Sequence, residues 1–229
     1  MWKSLFACVM PVLCTSTCLA AELTALEQRW LKGIAPVVAF ARQAKFPLTI
    51  VVQPQPTPGL TPLGMAFVKG RCTLVLSMRG NPKAQAMIDR IEPELLAATL
   101  ELMAAHELGH CERYLEGAFA RKPAGFNATK EPPGLGSEEQ AAYLSMKTMR
   151  REEGYADLIG LAWTRLRHPA LYARLHAWLV AERSSDTSRG SEHDTNAWLQ
   201  LVRDSAVLAD PAMFGNATAV WARGLSEEE

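Results

Sequence analysis

The chain has no net charge to speak of. Its 24 Lys and Arg are matched by 24 Asp and Glu over 229 residues. That balance argues against the strongly basic surface of a nucleic-acid binder, and no nucleic-acid partner is expected. The mature part also lacks any run of the ~20 apolar residues that a bilayer-spanning helix needs. No internal repeat is visible, which excludes solenoids and propellers. Cysteine is scarce, and three of the five (Cys8, Cys14, Cys18) crowd into the first 18 residues.

Those 18 residues belong to a recognisable leader. Lys3 gives a weakly positive start, residues 5–13 form a short apolar stretch broken by Pro11, and Cys18-Leu19-Ala20 supplies small residues at the cleavage positions. This pattern predicts a signal peptide over 1–21 and a secreted or periplasmic (bacterial cell envelope) protein. Removing it leaves one pair, Cys72 and Cys111, in an oxidising compartment, where a disulfide is expected. Residues 22–229 then suit a single domain with a sizeable core.

The coarse order of elements is helix, small sheet, helices. Residues 22–45 read as an amphipathic helix, and 48–53, 65–69 and 71–78 as three β-rich segments separated by Pro and Gly turns. Segments 93–116 and 138–167 read as long helices, joined by a Gly/Pro-rich stretch, 117–137, that can serve as a lid or a plain surface insertion. The sum is an α+β fold. The segment 71–78, just upstream of the first long helix, is the candidate edge strand for binding an extended peptide. His168 reads as a cation capping a helix end, and His176 as a residue on the polar side of a surface helix.

What the chain does have is His106-Glu107-Leu108-Gly109-His110. On a helix, two histidines four apart project from one face and can reach one metal ion. Glu107, about 100° round the helix, sits where it can take a proton from metal-bound water. A second pattern follows in Arg151-Glu152-Glu153-Gly154-Tyr155-Ala156-Asp157. Glu153 has Asp157 one turn on, so Glu153 is the expected third ligand and Asp157 the group that holds the free ring nitrogen of a ligand histidine. Glu152 has Ala156 in that place and reads as a solvated residue among Arg150 and Arg151. A three-histidine site of the extended HExxHxxGxxH kind is excluded, because Arg113 and Glu116 stand where Gly and His are required.

Taken together, His106–His110 with Glu153, Ala156 and Asp157 resemble the HExxH…ExxAD signature of gluzincins, in particular the CAAX prenyl protease and HtpX family. The resemblance covers mainly residues 99–200, and the absence of membrane helices points to a soluble, secreted branch. It implies a zincin-like metallopeptidase domain holding one Zn²⁺ through His106, His110 and Glu153, with a peptide or protein as substrate. It implies peptide hydrolysis, endopeptidase rather than exopeptidase, with Glu107 as general base. The family's downstream His-Pro stretch has its nearest counterpart at His193, followed here by Asp194, and implies His193 as a donor to the reacting oxygen. Two other classes are compatible with the sequence: a zinc-containing envelope protein that binds peptides or proteins without cutting them, and a helical envelope protein in which the His106–His110 motif is accidental.

Overall fold

The computed structural model describes residues 22–53, 61–122, 132–185, 188–209 and 212–228; the proposed signal peptide lies outside them, as do residues 123–131 of the Gly/Pro-rich stretch. Among the described residues are seven α-helices and one three-stranded sheet, an α+β architecture.

The first helix, α1 (Ala25–Gln43), starts at a capping box. Thr24 Oγ1 accepts from the Glu27 N–H and the Glu27 carboxylate accepts from the Thr24 N–H. Trp30, Ile34, Val37, Val38 and Ala41 recur at helical spacing and are buried against the core. The chain then forms β1 (Leu48–Val52), β2 (Leu63–Val68) and β3 (Arg71–Leu76). β3 is central: it pairs antiparallel with β2 and parallel with β1. Its alternate residues Cys72, Leu74 and Leu76 face the core.

This arrangement corrects the expected edge strand. β3 is flanked on both sides, so the edges of the sheet are β1 and β2. The parallel partner β1 comes from before the hairpin, a pairing that the alternation within β3 does not reveal.

After a short helix, α2 (Pro82–Asp89), two long helices carry the centre of the molecule: α3 (Leu96–Leu115) and α4 (Ser137–Arg167). Pro93, expected inside α3, lies instead in the turn before it, where Leu95 N–H bonds the Glu92 carbonyl. α3 is buried on nearly all sides. Gly109 lets it press against α4, because a Cβ there would sit 3.0 Å from the Ala156 Cα. The disulfide Cys72–Cys111 ties α3 to the central strand, with a Cα separation of 5.7 Å and both cysteines fully buried. The chain closes with α5 (Tyr172–Arg183), α6 (Asn196–Leu201) and α7 (Met213–Glu228). His176, expected on a surface face, turns inward: its Nε2–H donates to the Leu199 carbonyl at 2.9 Å and its ring stacks on Tyr172. The residue satisfying it comes from α6, far along the chain. Among the described residues no helix is long and apolar enough to cross a membrane.

Candidate metal centre

α3 and α4 cross where their small residues meet, and the crossing brings three side chains together. His106 and His110 sit one turn apart on α3, and Glu153 faces them from α4. His106 Nε2 is 3.2 Å from His110 Nε2 and 3.4 Å from Glu153 Oε2, and His110 Nε2 is 3.2 Å from Glu153 Oε1. Metal bonds of roughly 2.0–2.1 Å in a tetrahedral site separate neighbouring ligand atoms by about 3.3 Å. Two imidazoles and a carboxylate at these spacings can hold a metal ion.

The orientation of His106 is set from behind. Its Nδ1 lies 2.9 Å from Asp157 Oδ1, so Nδ1 carries hydrogen toward that carboxylate and Nε2 is directed at the ligand cluster. Asp157, fully buried, also accepts from both arms of Arg183 (2.9 and 2.7 Å) and from the Thr195 hydroxyl (2.6 Å). His110 Nδ1, by contrast, is buried with no hydrogen-bond partner among the described residues.

The electrostatics follow from this packing. Burial works against a charged His106, but Glu153 and Asp157 overcome it and carry the ring up to about 10. Burial likewise works against ionised Glu153, yet the two histidines hold it well below the usual carboxylate range. Asp157 is held low against its own burial, by Arg183 first and His106 second. A metal bound here must displace the proton that the carboxylates favour on His106, so affinity is coupled to pH. Glu107 behaves differently. Burial raises its pKa, although His106 and His110 pull the other way.

These groups line one cleft of about 340 Å³. Glu107 is in it, as is His193, whose Nε2 reaches within 3.6 Å of Glu153 Oε2 from the loop before α6. The edge strand β2 forms one wall through Leu63, Gly64, Met65 and Phe67.

Two further residues take part that the sequence reading missed. Arg183, at the last turn of α5, and Thr195, just before α6, reach Asp157 from 26 and 38 residues away. No motif spacing announces them. Glu152 needs a correction. It is only 2% exposed and accepts from Arg113 at 2.9 and 2.7 Å and from the Ala120 N–H at 3.1 Å. The neighbouring Arg150 and Arg151 suggested a solvated charge run, but its partner is a buried arginine on α3.

No protein-family model matches the chain, and neither a curated protein nor a solved structure was found to be similar to it.

Proposed function

We propose that this chain is a zinc-dependent metallopeptidase with a zincin-like catalytic domain, exported to the cell envelope or beyond, that hydrolyses peptide bonds in an extended peptide or protein. The observation that carries the reading is the convergence of His106, His110 and Glu153 at tetrahedral spacing in a cleft that also contains Glu107. Two imidazoles and one carboxylate suit zinc among the common ions, and three protein ligands leave a position open. Bound there, zinc would supply a Lewis acid that acidifies a water and polarises a carbonyl. The resemblance of the two motifs to gluzincins points the same way.

The roles of the chain's own groups follow. Glu107 accepts the proton of the attacking water and returns it to the leaving amine. Its burial-raised pKa brings it closer to the range in which it can do both. Asp157 fixes the ring of His106, and Arg183 with Thr195 keeps Asp157 ionised and aimed. His193, at the cleft and 39% exposed in its side chain, supports a role as donor to the carbonyl oxygen. The outer edge of β2, unpaired among the described residues, would offer backbone groups to a substrate strand. Met65, Met87, Met103 and Met149, four of the chain's nine methionines, line the cleft and suit apolar side chains of varied shape. Export is supported by the leader sequence and by the Cys72–Cys111 disulfide.

The test is Glu107→Gln. The variant should keep its zinc and lose roughly 10²–10⁴-fold in hydrolysis of an unfolded protein substrate. Hydrolysis at the wild-type rate would contradict the reading.

A further inference from the structure

The segment that follows α3 is held more firmly than a surface connection requires. Arg113, in the last turn of α3, donates through Nη2 to the carbonyls of Ala118 (2.8 Å) and Arg121 (2.9 Å). The same guanidinium bonds Glu152 and lies 4.1 Å over the Trp221 ring. Glu152 in turn accepts from the Ala120 N–H. Ala120 itself has φ of +61°, a left-handed conformation that a residue with a Cβ rarely adopts. A buried ion pair, itself packed on Trp221, thus holds the backbone of residues 118–121 in place despite the strained alanine.

What they fix is the ring of Phe119. It packs edge-on against Phe67 of β2, with centroids 5.2 Å apart, and lies 6.2 Å from the ring of His110. Phe67 is stacked on Tyr114 at 4.2 Å. The rings form a wall that runs from Phe67 on β2 to His110. Phe67 and Phe119 are half-buried and line the cleft. Arg113, which holds the segment, is itself bonded to Glu152, and a charged substrate side chain seated against the rings of Phe67 and Phe119 would give up water to apolar surface.

We propose that this wall is the specificity subsite of the cleft, and that it takes a large apolar side chain, an aromatic one foremost, on the substrate residue next to the scissile bond. This inference rests on the peptidase reading above. The position follows from scale: 6.2 Å is less than the ~6.6 Å spanned by two residues of an extended chain. The preference for an aromatic ring follows from the edge-to-face and stacked contacts that the exposed parts of Phe67 and Phe119 offer.

The experiment uses capped peptides that differ only in having Phe, Leu, Ala, Lys or Asp at the residues flanking one bond. Zinc-loaded wild-type protein should cleave the Phe and Leu peptides with kcat/KM about tenfold or more above the Ala, Lys and Asp peptides. Phe119→Ala should lose about tenfold on the Phe peptide, lose less than threefold on the Ala peptide, and keep its zinc. Phe119→Leu, the milder variant, should shift the preference from Phe toward Leu peptides. Binding of the same peptides to zinc-loaded Glu107→Gln protein, by fluorescence anisotropy, gives a readout that needs no turnover. If wild type cleaves nothing while Glu107→Gln binds Phe peptides over Ala peptides in a way that Phe119→Ala abolishes, the peptidase reading fails and the subsite stands. Equal losses on all peptides in Phe119→Ala and an unchanged preference in Phe119→Leu would overturn the subsite.

Discussion

Glu152 and Glu153 are adjacent carboxylates with unrelated jobs, and the contrast between them is a direct check on the site. Glu153 lies among the histidines, 16% exposed in its side chain, while Glu152 is closed under Arg113. Removing Glu152 leaves a buried guanidinium without its anion, a change that costs about 3–5 kcal/mol. Glu152→Ala should therefore lower the urea midpoint sharply while the folded fraction still binds metal, and Glu153→Ala should lose tight metal binding with a far smaller effect on the midpoint. Urea unfolding paired with a metal titration separates the two, and equal stability losses in both variants would contradict the assignment. Residues of this kind are unequally legible in sequence. His106, His110, Glu153 and Asp157 were readable because each pair is one helical turn apart, a local relation. Arg183, Thr195 and the Arg113–Glu152 pair were not, because each contact joins elements separated by 26 to 39 residues. His193 was readable only through the family likeness, since nothing local marks a loop histidine as part of a cleft.

At the scale of elements, periodicity found α1, α3, α4 and the three strands but not which elements they pair with. Residues 138–167 were legible as one helix, and α4 covers that stretch. The central position of β3 was not legible, because alternation in a strand reports which face is buried and says nothing about which edges are paired. α2 lay in a stretch to which no element had been assigned, although Asn81 caps it and Pro82 opens it. The start of α1 carries a pH-dependent tie. Glu27, fully buried, closes the capping box and takes both arms of Arg79, which follows the sheet. Those bonds hold its carboxyl below the usual value of 4.5 despite its burial. A depressed folded pKa adds stability above the unfolded value and loses it as pH falls through the folded one. Glu27→Gln should therefore lower Tm at pH 7, and the gap to wild type should narrow as pH drops below about 4.5. Thermal unfolding of both proteins from pH 7 to pH 3 checks this, and a gap that widens in acid would refute it.

Over the whole molecule, the fold works as a frame for one crossing. The sheet is fastened to α3 by the Cys72–Cys111 disulfide, α4 is drawn against α3 at Gly109, and α5 with the loop before α6 closes behind Asp157. Each contact bears on the same cluster, and the cleft beside it is walled by β2 and by apolar side chains. We propose that this frame holds a zinc ion. The measurement that tests it most directly is elemental analysis of the purified protein and its Glu153→Ala and His110→Ala variants, after dialysis against a moderate chelator. Wild-type protein should carry about one zinc per chain and either variant little, because a structural or catalytic zinc site needs at least three protein ligands. Wild-type protein that folds but retains no zinc, or variants that retain it fully, would contradict the account.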